Sequence, residues 1–343
     1  LLLSIAPLVW AAEKSILSQA EQIREEIVVT ADRNTQPLKH TGNSISVISK
    51  EQIENRGFDF ASEAMRQIPG LSVNQSGPIG SATQIRIRGA EANHTLVLID
   101  GFNANDPAIG SEFNFADLTT FDVDQIEVVR GSQTALYGSD TIGGVINLIT
   151  STPDKTGFSG KAYVAAGNNQ SDLYLLNLNG KGERHYVLAN FSKYNTNGTN
   201  ASLMGSEKDG YENQTELLKF GFELTQELTA TLQARRSSNR VETDPQDFAF
   251  PATETQGLVI DGDDWSETSQ RYNALALSYK NIDRPITSTL KLGSTRTSSR
   301  FYQNNVYALA NGGARDSIDW LLSNKWSGDS EHELSASFQH EKL

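Results

Sequence analysis

The chain has 343 residues, no cysteine and a formal charge of -13. That length allows one large domain or two ordinary ones; the acidic balance argues against a nucleic-acid partner, and the missing thiols exclude a disulfide scaffold, a thiolate metal site and a cysteine nucleophile. Beyond the N-terminus no apolar run nears the ~20 residues of a spanning helix, which excludes a helical membrane protein, whereas a transmembrane β-barrel needs only alternate apolar residues and stays open.

Leu1 to Leu8 is apolar and runs into Val9-Trp10-Ala11, which reads as a clipped secretory signal over residues 1–20. Glu26-Ile27-Val28-Val29-Thr30-Ala31 is a short β-branched run with no obvious hairpin mate. A run of this kind can add itself to an exposed sheet edge of another protein. Ile45 to Ile48 predicts a strand, and Ser49-Lys50-Glu51-Gln52 has the form of a capping box. Asp59 is the expected cap of a second helix, with Phe60, Ala64 and Ile68 on one face before Pro69-Gly70. Gln84 to Arg88 alternates and should be half-buried, while the unbroken apolar run Thr95 to Ile99 predicts a central strand closed by Asp100-Gly101. Ile126 to Val129 and Val145 to Ile149 then flank an insert punctuated by Gly131, Gly138, Gly143 and Gly144.

From Phe158 onward the pattern has period two, as in Leu218, Phe220, Phe222 and Leu224 or Leu228, Ala230, Leu232 and Ala234. It predicts nine strands of about ten residues, enough to span a bilayer when tilted. Tight connections at Gly180–Glu183, Gln226–Glu227, Asn281–Arg284 and Gly328–Ser330 alternate with long ones at Thr196–Asn213, Asn239–Ser266 and Ser299–Arg315. One-sided loop lengths fit an outer-membrane barrel; a soluble β-sandwich would instead turn the apolar positions inward.

His40, His94, His185, His332 and His340 are scattered, without metalloenzyme spacing, and no enzymatic activity is expected. Glu207-Lys208-Asp209 in one long loop and Asp261-Gly262-Asp263-Asp264 in the next offer hard oxygen ligands that suit Ca²⁺. The loops Asn74–Thr83, Ala90–His94 and Phe102–Asn114 are rich in hydrogen-bonding side chains, and Asn103, Asn105 and Ser111 are the candidate substrate contacts.

Arg130-Gly131, Leu136-Tyr137-Gly138-Ser139 and Gly143-Gly144-Val145-Ile146-Asn147, with Ile87-Arg88-Gly89 and Leu96 to Gly101, resemble the plug of TonB-dependent outer-membrane receptors. The resemblance implies an α+β plug domain over 21–152, followed over 153–343 by the first part of an antiparallel transmembrane β-barrel, about nine of about 22 strands. It implies the outer membrane of a Gram-negative bacterium and contact with its lipid. It makes Glu26 to Ala31 the TonB box, and it implies import of a scarce bulky nutrient. Cobalamin is the nearest likeness, a ferric siderophore or haem the competing substrate, and a passive porin or adhesin barrel the remaining alternative. Arg88 and Arg130 are implied to pair with glutamates on barrel strands later than those present. The family's cobalamin receptor places calcium in loops matching Asn200, Glu207, Asp209 and one or more of Asp261, Asp263 and Asp264, although this chain has Lys208 and Ser238 where acidic or amide groups serve better.

Overall fold

The computed structural model describes residues 27–28, 36–37, 42–327 and 331–343. The expected signal segment and most of the 26–31 run lie outside the described residues. Of that run, Ile27–Val28 (β1) pairs antiparallel with Gln36–Pro37 (β2), Ile27 opposite Pro37. Among the described residues this mate, which the sequence did not reveal, spans Gln36–Pro37, and the ladder joins no other sheet.

β3 (Ser44–Ser49), β6 (Thr95–Ile99), β7 (Phe102–Asn103), β8 (Val123–Arg130) and β9 (Gly144–Thr150) form one mixed sheet in the order β3-β8-β9-β6-β7. All five residues of β6 are buried, because a strand paired on both edges and covered on both faces has no solvent side to alternate with. β9 runs parallel to β6 and antiparallel to β8. Gly144 sits at that junction with φ +152°, and a Cβ there would stand 2.2 Å from the carbonyl oxygen of Val129, so the second glycine of the Gly-Gly pair is what lets the two strands meet. β4 (Leu71–Gln75) and β5 (Thr83–Ile87) make a separate hairpin, with β5 alternating buried and half-buried as its sequence predicts.

The helix Lys50–Arg56 opens on the expected capping box: the Gln52 N–H donates to Ser49 Oγ at 3.3 Å, and the Ser49 N–H to Gln52 Oε1 at 3.0 Å. The next helix, Ala61–Met65, is capped from Phe60 and not by Asp59. The Ala61 N–H that an Asp59 cap would accept donates instead to the Leu118 carbonyl at 2.9 Å, while the Glu63 carboxylate accepts the N–H groups of Asp59 and Phe60 at 3.2 and 3.3 Å. Ile53, Met65, Ile85, Val97, Phe113, Phe115, Ile126, Ile146 and Leu148 close the core between helices, hairpin and sheet.

β10 (Gly157–Ala166), β11 (Asp172–Lys181), β12 (His185–Thr199), β13 (Asp209–Glu223), β14 (Leu228–Thr243), β15 (Asp264–Lys280), β16 (Ile286–Gln303), β17 (Val306–Ser327) and β18 (Glu331–Lys342) form a second sheet, each paired antiparallel with the next. Tight turns gather at one end and the loops 200–208 and 244–263 at the other. The third long loop, expected over Ser299–Arg315, is instead a two-residue turn. β16 and β17 stay paired up to Gln303 and Val306, and Asn304 and Asn305 take positive φ values of 47° and 61°, a conformation asparagine tolerates. Strands of 15 to 22 residues over β12 to β17 exceed the ~10 that a bilayer needs, so their loop-side ends stand clear of it.

The burial of this sheet is inverted relative to a soluble sandwich. Asn190, Asn213, Gln233, Arg235, Gln270, Thr295 and Arg315 are buried on the inner face, while Leu218, Leu232, Leu292, Ile318 and Trp320 are exposed on the outer one. The inner wall is buried because the plug rests on it. Tyr211 Oη donates to the Ala116 carbonyl at 3.0 Å, Asn190 Nδ2 to the Phe121 carbonyl at 3.0 Å, and Arg315 Nη1 to that of Asn105 at 2.6 Å. Lys219 reaches Asp100 at 3.3 Å, and Arg235 Nε meets Asp122 Oδ2 at 2.8 Å with both side chains 2% exposed.

Removing one partner of a buried pair leaves the other charge uncompensated, a cost of ~3–5 kcal/mol. Arg235→Met should therefore weaken the hydrogen-exchange protection of β8 and β9 by that amount, and Arg235→Met with Asp122→Leu should restore most of it. Protection changed by less than ~1 kcal/mol in the single variant would show that the pair does not anchor the plug.

Candidate functional site

A cleft opens at the loop end of the wall, between the plug segments 76–84 and 106–114 and the upper parts of β14 to β16. Gln84, Glu112, Asn239, Gln270, Ser299 and Gln303 give it a hydrogen-bonding surface, and Gln84 Nε2 donates to Glu112 Oε2 at 2.6 Å. Its charged lining is acidic: Asp106, Glu112, Asp117, Asp244 and Asp264, with neither lysine nor arginine among the described residues. Asp117, 4% exposed, is pushed up to about 7 by burial, against the opposing pull of Asn239, Arg235 and Tyr211. It is a protonatable group at neutral pH beside the plug's contact with β13 and β14.

The three substrate candidates read from composition fall elsewhere. Asn105 is 1% exposed; its Oδ1 accepts from the Val97 N–H at 2.7 Å, and its Nδ2 donates to the carbonyls of Thr95 and Ser111 at 3.0 and 2.6 Å. It braces the loop from within. Asn103 accepts from the Asn105 N–H at 3.1 Å and donates to Glu341 at 3.4 Å, so it faces the barrel wall. Ser111 is a half-buried turn residue with φ +60°. Residues 90–94 pack against the Gly143-Gly144 turn, the His94 carbonyl accepting from the Gly143 N–H at 2.9 Å, and do not line the cleft. Gln84 and Glu112, which the sequence left unmarked, take the place of these candidates on the cleft surface. The strict alternation of β5 was the available signal for Gln84, because it fixes which side chains leave the hairpin on the same side.

Above the cleft, one carboxylate oxygen each of Glu207, Asp244 and Asp261 lies within 4.8 Å of the others. Asn200 Nδ2 donates to Asp261 at 3.1 Å, and Asp209 accepts the Ala201 N–H at 2.7 Å. Glu207 Oε2 and Asp209 Oδ1 are buried without a hydrogen-bond partner among the described residues. Burial first, then the charges of Asp209, Asp244, Asp261 and Glu242, push Glu207 up to about 7. Carboxylates crowded to that degree suit a divalent cation. Asp263 and Asp264 stand apart: the Asp263 carbonyl and the Asp264 side chain accept the N–H groups of Asn305 and Asn304, at 3.0 and 2.9 Å. Asp244 is the member that sequence reasoning missed, since it lies at the start of its loop, 17 residues before Asp261.

Arg88 and Arg130 converge at another edge of the plug. A Cβ on Gly70 would lie 3.6 Å from Arg130 Cδ and 3.8 Å from Arg88 Cγ, and burial, then the neighbouring Arg88, push the Arg130 pKa down. Arg130 donates to Ser46 Oγ at 2.6 Å and to Ser44 Oγ at 3.0 Å.

Residues 37–145 match the family described as TonB-dependent Receptor Plug Domain. Over 177 residues the chain is 36% identical to "Vitamin B12 transporter BtuB" of Photobacterium profundum, a match that takes in 51% of this chain and 28% of that protein. It is 40% identical over 133 residues to the protein of the same name in Vibrio vulnificus strain YJ016, covering 39% of this chain and 22% of that one. In fold it superposes on the ferripyoverdine receptor of the outer membrane of Pseudomonas aeruginosa with a TM-score of 0.69 at 19% identity, over 92% of this chain and 45% of the receptor. The siderophore receptor PiuA of Acinetobacter baumannii gives a TM-score of 0.63 at 21% identity, over 89% and 47%. The chain thus spans less than half of each of these proteins. Residues 37–145 are thus a plug domain of the TonB-dependent receptor kind, and a plug set against a wall polar inside and apolar outside is the fold of a Gram-negative outer-membrane β-barrel.

Proposed function

We propose that the chain is the plug and adjoining wall of an importer that captures cobalamin at its outer cleft and passes it to the periplasm when TonB pulls on the plug. The observation that carries the reading is the docking of the plug: a buried ion pair and hydrogen bonds from β12 to β17 hold it against the inner wall. Passage past a plug so held requires work from outside, because the outer membrane has no ion gradient of its own. The segment around Ile27–Val28, where the described residues pair with Gln36–Pro37, is the place where a partner strand would add.

Cobalamin is favoured over an iron chelate by the cleft's charge. Its amide, hydroxyl and carboxylate surface lacks lysine and arginine among the described residues; it suits a ligand rich in amides and repels an anionic siderophore. The two curated relatives carry the vitamin B12 name, which supports the same choice. A calcium ion held by Glu207, Asp244 and Asp261, with Asp209 and Asn200 in support, would tie the loops 200–208 and 244–263 together over the cleft.

Deleting residues 26–31 from the intact receptor should abolish cobalamin uptake and leave surface binding unchanged; undiminished uptake would favour a passive porin or adhesin. For calcium, calorimetry on the folded receptor should give binding heat that is lost in Asp261→Asn, and the absence of heat in the parent would sink the site. The pH dependence has a definite sign. Without the ion, the raised Glu207 carboxyl contributes loop stability that is present below its usual pKa of 4.5 and lost as pH rises through about 7. Proteolytic nicking of 200–208 should therefore increase from pH 5 to pH 8 in chelator, Ca²⁺ should suppress it at pH 8, and calcium affinity should fall as protons compete below about pH 7.

A further inference from the structure

Taking the outer cleft as the cobalamin site, we propose that the cavity at the turn end of the wall, between the plug and β15 to β17, is a second ligand site. It receives the nucleotide arm of cobalamin, a flat base joined through a sugar to a phosphodiester, as the ligand leaves the plug. The cavity measures about 620 Å³; Asp100, Tyr137 and Ile149 of the plug face Lys280, Lys291 and Leu321 of the wall across it. Short turns mark the periplasmic side of barrels of this type, so the cavity opens on the side opposite the cleft.

The two cavities lie along the same wall strands. On β15, Gln270 lines the outer cleft and Ser278 the inner cavity, eight residues apart or roughly 26 Å at ~3.3 Å per residue. Between them the inward side chains of three strands meet one plug segment, 103–105. Tyr272 Oη of β15 donates to the Ala104 carbonyl at 3.3 Å, Thr295 Oγ1 of β16 to that of Asn103 at 3.2 Å, and Arg315 Nη1 of β17 to that of Asn105 at 2.6 Å. A smaller cavity reaches up to Phe102 and Asn103 from the turn side and shares Gly101, Tyr137, Lys291 and Asp319 with the larger one. Withdrawal of segment 103–105 would therefore join the outer cleft to the inner cavity along β15 to β17.

The charge of the lining changes sign over that distance. The outer cleft presents five carboxylates and no cation among the described residues. The inner cavity presents Lys280, Arg284, Lys291 and Lys325 against Asp100 and Asp319. Both of these carboxylates have a cation beside them: Asp100 is 3.3 Å from Lys219, and Asp319 stands directly opposite Lys291. Glu333 holds Lys325 at 3.3 Å, and Glu227 accepts from Asn281 Nδ2 and the Ile282 N–H, at 3.1 and 3.0 Å. Glu227, Asp283 and Glu333 do not line the cavity. Lys280 and Arg284, both exposed at its mouth, are thus placed to bind an anion by charge-assisted hydrogen bonds. The apolar surface of Tyr137, Ile149 and Leu321 beside them suits a flat base. An amide-rich ligand whose single charge is a phosphodiester would leave the acidic cleft and meet complementary charge at the exit.

The test uses the intact receptor with two probes, cyanocobalamin and cobinamide, the same corrin without the nucleotide arm. Equilibrium dialysis in detergent should show one tightly bound molecule of either probe, and a second, salt-sensitive one of cyanocobalamin alone. Lys280→Gln with Arg284→Gln should weaken the second binding at least about tenfold, and it should lower the maximal rate of TonB-driven cyanocobalamin uptake but not that of cobinamide. Retention of the tight molecule shows that the variant is folded. One tight cyanocobalamin without a second would overturn this site alone, whereas no binding at either position would overturn the outer-cleft reading together with it. Equal second binding by cobinamide, or undiminished second binding or cyanocobalamin uptake in the double variant, also overturns the proposal.

Discussion

The contact on which the rest of the arrangement depends is the ion pair between Arg235 of β14 and Asp122 of the plug, 2.8 Å apart and almost wholly desolvated. Neither charge could be buried alone. Arg235 can lie on the inward face only if the plug supplies a carboxylate there, and Asp122 can precede β8 only if the wall supplies a cation. The neighbouring contacts follow the same division. Barrel side chains donate and plug carbonyls accept, from Ala104 and Asn105 through Ala116 to Phe121. Much of segment 100–122 lies outside the plug's ladders, so the wall takes the place that water has around an exposed loop.

One period-two pattern therefore serves two surroundings. In a soluble sheet the apolar positions would form the core; here they face lipid, and the polar positions face a protein surface that must be hydrogen-bonded. Periodicity alone does not distinguish these cases. The one-sided distribution of loops did, and the buried Asn190, Gln233, Gln270 and Arg315 against the exposed Leu218, Leu232 and Trp320 follow from it. All nine strands were legible because each keeps its alternation across the apolar band. Their loop-side ends were not, because beyond the membrane neither face is apolar and the alternation loses contrast. β16 and β17 continue there as a paired ribbon up to Asn304-Asn305, where composition had suggested a loop.

The plug was legible wherever local chemistry suffices: the Ser49 and Gln52 box, the continuously buried β6, and the glycine at the β8–β9 junction. The Asp59 cap was misplaced because the Leu118 carbonyl, from a distant segment, takes the Ala61 N–H that the cap would accept. Sites gathered from several segments were legible in part. Charge marked Glu207, Asp209 and Asp261, but the way loop 244–263 folds back to bring Asp244 to them is a tertiary property. Asn105 shows the converse limit: a loop asparagine that braces its own backbone and one that meets a ligand have the same sequence signature. Register, which no single strand encodes, is what brings Arg236, Arg271 and Arg296 opposite one another across β14 to β16.

The same reasoning locates where a pull on the plug would first be felt. From Gly42 the chain enters β3, which among the described residues is an edge strand of the plug sheet paired with β8, with Ser44 opposite Arg130 at the end nearest the N-terminus. Tension arriving from residues before Gly42 would load that end of the antiparallel ladder first, one backbone pair at a time. The Arg130 guanidinium lies across it, donating to the hydroxyls of Ser44 and Ser46, and Arg88 stands alongside with like charge. Peeling this edge would release the Arg130 guanidinium from Ser44 and Ser46 while Arg235 and Asp122 still hold the body of the plug to the wall.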